Sequence, residues 1–233
     1  KLGYLPYGAG AFVCRDHRAM ALLAEPADYV FDGEEPGDYM ARYRRLGQFI
    51  MEGSKSGAIA AAVYVTHRVL PLDHANFGRL PRQTVLAAEA FHARAQRFAE
   101  ELAPHVNAVV PFAPDSNLVC LALNPAGNRD VGHANAFVRG LHDELRSDAQ
   151  RPLQVKDFFG SMTTLREEAL GTAELHRIAT RLGLDPATFG EDADRLVILR
   201  HTLMNPYLID AENGISYIDR YFDFLETRVR ALA

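Results

Sequence analysis

The strongest restriction on this chain comes after Pro104, where two β-rich runs, "VNAVVPF" and "NLVCLALNP", flank a four-residue break, "APDS". Short apolar runs of this kind, joined by turn-forming residues, predict an antiparallel hairpin. The texture then alternates. A helix is expected over about 131–147, a weaker extended segment around "LQVKDFFGSM" and a helix over about 171–183; the strand "RLVILRHTL" and a closing helix over about 214–232 follow. A hairpin followed by mixed helices and strands specifies an α+β unit. No internal repeat is present, which excludes a stacked-repeat architecture.

Upstream of the hairpin, residues 82–103 carry Val85, Ala88, Phe91, Ala95, Phe98 and Leu102 three or four apart, the mark of a helix with one buried stripe. Before it, "GAIAAAVYVTHRVL" predicts an Ala-rich helix stopped by Pro71. The break "DHANFGRLP" between them marks a domain boundary, so residues 1–75 and 76–233 are expected to belong to different domains. At the start, "GAGAFVCRD" suits a buried strand and "HRAMALLAE" a short helix. The stretch 26–45, with two prolines and with Tyr29, Tyr39 and Tyr43, reads as a mobile loop passing into a helix.

Composition narrows the function classes. A formal net charge of −5 argues against general affinity for nucleic acid or an anionic membrane. The longest apolar stretch, "GAIAAAVYV", is far short of the ~20 residues of a membrane span, and no signal-peptide pattern opens the chain. Cys14 and Cys120 sit in apolar runs without metal-ligand spacing and are expected to be reduced, buried thiols of a cytoplasmic protein. The 9 histidines are scattered without paired spacing, so no metal site is expected. The chain begins at Lys1 rather than methionine, which fits either processing or a portion of a longer polypeptide.

Three constellations could carry chemistry. "GSKSG", from Gly53 to Gly57, directly precedes a helix; Gly53, Ser54 and Ser56 could cradle an anion such as phosphate, or serve as an ordinary serine cap beside a solvated Lys55. Arg200, in "RLVILRHTLMNP", falls by period-2 alternation on the face of Leu196, Ile198 and Thr202. A guanidinium there needs a carboxylate, which could come from a substrate or from an internal ion pair, unless the strand end is frayed. The loop tyrosines could be lid residues that donate a proton, or packing anchors.

Lys1 in "KLGYLPYGAGAFVCRD", together with "EGSKSGAIAAAVY" and "VILRHTLMNP", resembles in order three stretches of the group II pyridoxal-phosphate-dependent amino acid decarboxylases, in the branch of bacterial L-tyrosine and glutamate decarboxylases. The resemblance spans essentially the whole chain as the C-terminal half of a family member. It implies an α/β fold: the C-terminal portion of a fold type I transferase, ending in a small α+β domain. Lys1 would hold pyridoxal 5'-phosphate as a Schiff base, and Gly53 and Ser54 would lie in the stretch that reaches the phosphate across a homodimer with shared active sites. Arg200 would grip the substrate α-carboxylate. Tyr29, with Tyr39 as second choice, would reprotonate the substrate carbon after CO2 leaves, and Tyr7 would line the substrate pocket.

An aromatic, tyrosine-like amino acid is the favoured substrate by this resemblance. Another fold type I lyase or an aminotransferase, and an inactive fragment or interaction domain, are the alternatives. In the family, the phosphate-binding Ser/Thr loop, the group that stacks on the cofactor ring and the aspartate that pairs with its nitrogen all precede the lysine. None is among these residues. Taken alone, the chain is therefore expected to lack a competent site, which a longer polypeptide would complete upstream.

Overall fold

The computed structural model describes residues 4–5, 8–10, 13–16, 18–19, 56–147, 152–190 and 193–233. Contacts divide the chain into two units, Lys1–Leu72 and Asp73–Ala233.

In the first unit the Ala-rich run forms helix α1, Ala58–Val69, and closes with a bond from Leu70 N to Thr66 O at 2.7 Å. The strand expected over residues 8–16 does not form among the described residues 8–10 and 13–16. A strand needs a paired edge, and no described residue supplies one here. Cys14, expected to be buried, is exposed, and its Sγ donates to Asp16 O at 3.1 Å.

The second unit begins with helix α2, Arg79–Glu101. It starts a turn earlier than expected because Pro81 falls in the first turn, where its missing N–H costs nothing. Ala88, Phe91, Ala95, Phe98 and Leu102 are buried as the stripe predicts, but Val85 is 38% exposed. The buried face swings at this end to Thr84 and Ala87, with the Thr84 hydroxyl turned onto Pro81 O at 2.8 Å.

The predicted hairpin is β1, Val106–Val109, and β2, Leu118–Pro125, paired antiparallel with Val106 opposite Pro125. Helix α3, Val131–Leu145, leads to β3, Ser161–Arg166; helices α4, Glu167–Leu170, and α5, Thr172–Arg181, lead to β4, Arg195–Thr202. β4 returns between β2 and β3, so the sheet order is β1-β2-β4-β3. All of its pairings are antiparallel. A short hairpin, β5 (Ile209–Asp210) with β6 (Ile215–Ser216), precedes helix α6, Tyr217–Leu232. The last helix starts later than expected because Gly214 turns the chain at φ +65 and Ser216 Oγ then caps the helix by accepting from Asp219 N at 3.1 Å.

Alternation along the strands divides the core in two. Val119, Leu121, Leu123, Val197 and Leu199 pack with α2, α3 and α6, around Phe91, Phe98, Leu141 and Phe222. Ala122, Leu165, Leu196 and Ile198 pack with α5, around Leu175, Ile178 and Leu182. β4 is therefore apolar on both faces, as a central strand covered by helices requires. At the end of α5, Gly183 takes φ +78, and Leu184 N bonds back to Ala179 O at 3.0 Å. That left-handed cap suits glycine, and a Cβ there would sit 3.0 Å from Asn107 Nδ2.

Two buried polar side chains fasten these layers. Arg94 reaches from α2 to Asp219 of α6 at 3.4 Å and to Glu101 at 3.0 Å, with its guanidinium over the Phe222 ring. Asn135 of α3 is 2% exposed; its Nδ2 donates to Arg195 O at 2.8 Å and its Oδ1 accepts from Val197 N at 2.7 Å. β2 leaves β4 after Leu121, which faces Leu199, and Asn135 takes over the bonding that a strand would have supplied. Asn135→Leu is expected to strand both backbone groups and cost about 2–4 kcal/mol, read as a lower urea midpoint with an unchanged m-value.

Candidate functional site

Arg200 lies near the C-terminal end of β4, paired with Cys120 of β2 on one side and Ser161 of β3 on the other. The three side chains form one row across the sheet, on the face that α5 covers further along. The apolar cover of that face thins here: Cys120 is only partly buried against it, and Arg200 and Ser161 are half-buried. The strand end is not frayed, since Thr202 still faces Leu118 and Leu203 N donates to Asn117 O at 2.8 Å.

Arg200 Nε donates to Ser161 Oγ at 3.3 Å, and Ser161 Oγ donates to Arg200 O at 3.0 Å. Among the described residues no carboxylate pairs with the Arg200 guanidinium, although other arginines here are paired, as Arg94 and Arg195 are. The internal ion pair left open by the sequence is thus not formed among these residues. Burial pushes the Cys120 thiol above its ordinary pKa, with the nearby Arg200 charge opposing it, so the flank of the guanidinium offers no anion. The row holds a half-exposed planar cation without a carboxylate partner among the described residues, and such a cation can bind a carboxylate by two parallel hydrogen bonds.

The opposite face of the same strand end is closed. His201 Nδ1 lies 3.2 Å from Val119 O and its Nε2 2.6 Å from Tyr221 Oη. A carbonyl only accepts, so Nδ1 carries the proton and Nε2 accepts from the tyrosine hydroxyl. Phe91 packs on both rings, with its centroid 4.6 Å from that of His201 and 5.7 Å from that of Tyr221. Burial lowers the His201 pKa to about 4 and pushes the Tyr221 phenol up. This pair locks the backbone behind Arg200.

The remaining predicted site residues, Lys1, Tyr7, Tyr29, Tyr39, Gly53 and Ser54, lie outside the described residues. The described part of the "GSKSG" stretch ends with Ser56 Oγ accepting from Ala58 N at 3.2 Å; Gly57 gives α1 no side-chain cap, and its first turn has no acidic residue. An open groove on α6, lined by Asp157, Phe158, Tyr217, Arg220, Asp223 and Phe224, contains none of the predicted residues. Among the described residues no group of His, Cys, Asp or Glu is arranged to hold a metal ion, and no helix is long and apolar enough to cross a membrane.

The family described as "Tyrosine decarboxylase, C-terminal" matches residues 88–229, from within α2 into α6, and includes the whole sheet and Arg200. The chain belongs to this family. Like a C-terminal region of the tyrosine decarboxylase family, it aligns with only part of its relatives. It is 30% identical over 231 residues to the L-tyrosine decarboxylase of Levilactobacillus brevis, covering 99% of this chain and 34% of that protein. With the L-tyrosine decarboxylase of Enterococcus faecium it shares 31% over 229 residues, 96% of this chain and 34% of the relative. With that of Enterococcus faecalis it shares 30% over 237 residues, 100% of this chain and 36% of the relative. The chain spans about a third of the length of these curated relatives.

Sequence reasoning found Arg200 and its face but missed Ser161, Cys120 and the His201–Tyr221 pair as its neighbours. The alternation of "SMTTLR" could have put Ser161 on a face; which residue it faces is set by register, which no local pattern shows.

The His201 shift predicts acid sensitivity. The unfolded chain takes up this proton near the ordinary pKa of 6.5, whereas the folded chain resists until about pH 4. The stability due to neutral burial is therefore full above pH 6.5 and is lost as the pH falls toward 4, by roughly 3 kcal/mol. Urea midpoints measured across this window should fall in the parent protein and fall less in the variant His201→Phe/Tyr221→Phe.

Proposed function

We propose that the complete polypeptide carrying this chain is a pyridoxal 5'-phosphate-dependent decarboxylase that converts an aromatic amino acid, L-tyrosine first, to its amine and CO2. The observation that carries the reading is Arg200: a half-buried guanidinium at the sheet end, without a carboxylate partner among the described residues, inside the region that matches the tyrosine decarboxylase family. The names of the relatives support the substrate.

In this reading Arg200 grips the substrate α-carboxylate and fixes its direction relative to the cofactor. A grip retained on a departing group stabilises the ground state as well, so its useful contribution is orientation. Lys1 holds the cofactor, and Gly53 and Ser54 approach its phosphate in a homodimer with shared sites. The acid-free first turn of α1 suits such an anion, because a helix N-terminus offers N–H groups and partial positive charge, and of those N–H groups Ser56 Oγ engages only that of Ala58. Tyr29, or Tyr39, returns a proton to the substrate Cα, and Tyr7 lines the pocket. When bound, the cofactor supplies the electron sink for cleavage of the Cα–carboxylate bond. Residues 1–75 complete the cofactor domain of a fold type I enzyme in the cytoplasm, and residues 76–233 form its small domain.

The test is turnover of L-tyrosine by the complete polypeptide, with amine, CO2 and keto acid measured separately. Amine and CO2 in equal amounts are expected, and borohydride treatment should leave a phosphopyridoxyl adduct at Lys1. Keto acid in place of CO2 would favour an aminotransferase. Arg200→Gln should lower kcat/KM about 10- to 100-fold, the size of lost charge-assisted hydrogen bonds, while the adduct at Lys1 still forms; unchanged kinetics would remove Arg200 from the site.

A further inference from the structure

Ser161 makes two bonds to one residue. Its Oγ donates to Arg200 O at 3.0 Å and accepts from Arg200 Nε at 3.3 Å. A hydroxyl has one proton and two lone pairs, so both bonds hold at once. Ser161 and Arg200 are directly opposed across the antiparallel β3–β4 pair, the placement in which side chains on one face touch. A guanidinium is a rigid plane, so a bond at Nε limits rotation of the whole fork. With Nε engaged, the N–H groups left to present are those of Nη1 and Nη2. On the other flank, Cys120 keeps its proton because burial raises its pKa, so no thiolate competes for the fork.

We propose that Ser161 is a positioning residue for the carboxylate clamp: it holds the Arg200 guanidinium plane through Nε, so that a substrate α-carboxylate is taken end-on by Nη1 and Nη2. The proposal rests on the reading of Arg200 as the clamp given above. It assigns to β3, a strand with no predicted site residue, a part in substrate orientation.

The test uses the complete polypeptide with its cofactor and two tyrosine analogues: 3-(4-hydroxyphenyl)propionate, which has the carboxylate and no amine, and tyramine, which has the amine and no carboxylate. Dissociation constants are measured by calorimetry for the parent, Ser161→Ala, Ser161→Thr, Arg200→Gln and the Ser161→Ala/Arg200→Gln double variant. Loss of one hydrogen bond to a charged group should weaken 3-(4-hydroxyphenyl)propionate about three- to tenfold in Ser161→Ala and leave tyramine within about twofold. Ser161→Thr, which keeps the hydroxyl, should restore binding, and Ser161→Ala should add nothing once Arg200 is replaced.

Parent-like binding of both probes in Ser161→Ala, with Arg200→Gln impaired, would overturn the role of Ser161 and leave the clamp standing. Equal weakening of both probes, or failure of threonine to restore binding, would also overturn it. Parent-like binding in Arg200→Gln, or no binding of the carboxylate probe to the parent, would overturn the clamp reading itself and the proposal with it.

Discussion

A strand with apolar side chains on both faces can be buried only if both of its edges find hydrogen-bond partners, because a bare N–H or C=O in a dry core costs more than an apolar contact returns. β4 meets this demand with three partners. β3 runs along one edge from Arg195 to Arg200, β2 covers the C-terminal half of the other, and the Asn135 side chain closes the gap where β2 turns away to pair with β1. With both edges satisfied, Leu196 and Ile198 can face α5 while Val197 and Leu199 face α2, α3 and α6. The two cores meet at this strand.

The candidate site follows from how that strand ends. Adjacent residues of a strand must face opposite ways, so Arg200 and His201 cannot share the same surroundings. His201 goes into the aromatic core and is held neutral between Val119 O and Tyr221. Arg200 goes to the face where α5 no longer covers the sheet, and it stays half-exposed between a protonated thiol and a serine hydroxyl. A charge can sit at a sheet surface without a carboxylate only where water or a ligand reaches it. The rigidity that places the guanidinium comes from the dry side of the strand, and its availability from the wet side.

Much of the second unit was legible from local pattern. The stripe of Phe91, Ala95 and Phe98, the hairpin around "APDS", and the strand "RLVILRHT" appear where periodicity puts them. The departures have local causes that periodicity ignores: Pro81 is tolerated in a first turn, Ser216 caps a helix three residues late, and Thr84 turns its hydroxyl onto the backbone. In the first unit α1 was legible, whereas the expected burial of Cys14 failed because an apolar run implies burial only where a neighbouring edge receives it. Of the site, Arg200 was visible as a cation on an apolar face. Ser161 was invisible, being a hydroxyl thirty-nine residues away in a weak strand.

By itself the sequence determined the main helices of the second unit, the β1–β2 hairpin, β4 and the face on which Arg200 falls, because side-chain period and turn chemistry are properties of neighbours along the chain. It put the segment before α5 too early, since Leu153–Val155 is a 3-10 turn and β3 starts at Ser161, and it did not show α4 or the β5–β6 hairpin. Only the tertiary structure decided that β4 inserts between β2 and β3, that Asn135 replaces a missing strand, and that Cys120, Arg200 and Ser161 share a row. Those outcomes depend on register and on where a helix stops covering a sheet. Both are settled by the packing of residues distant in sequence.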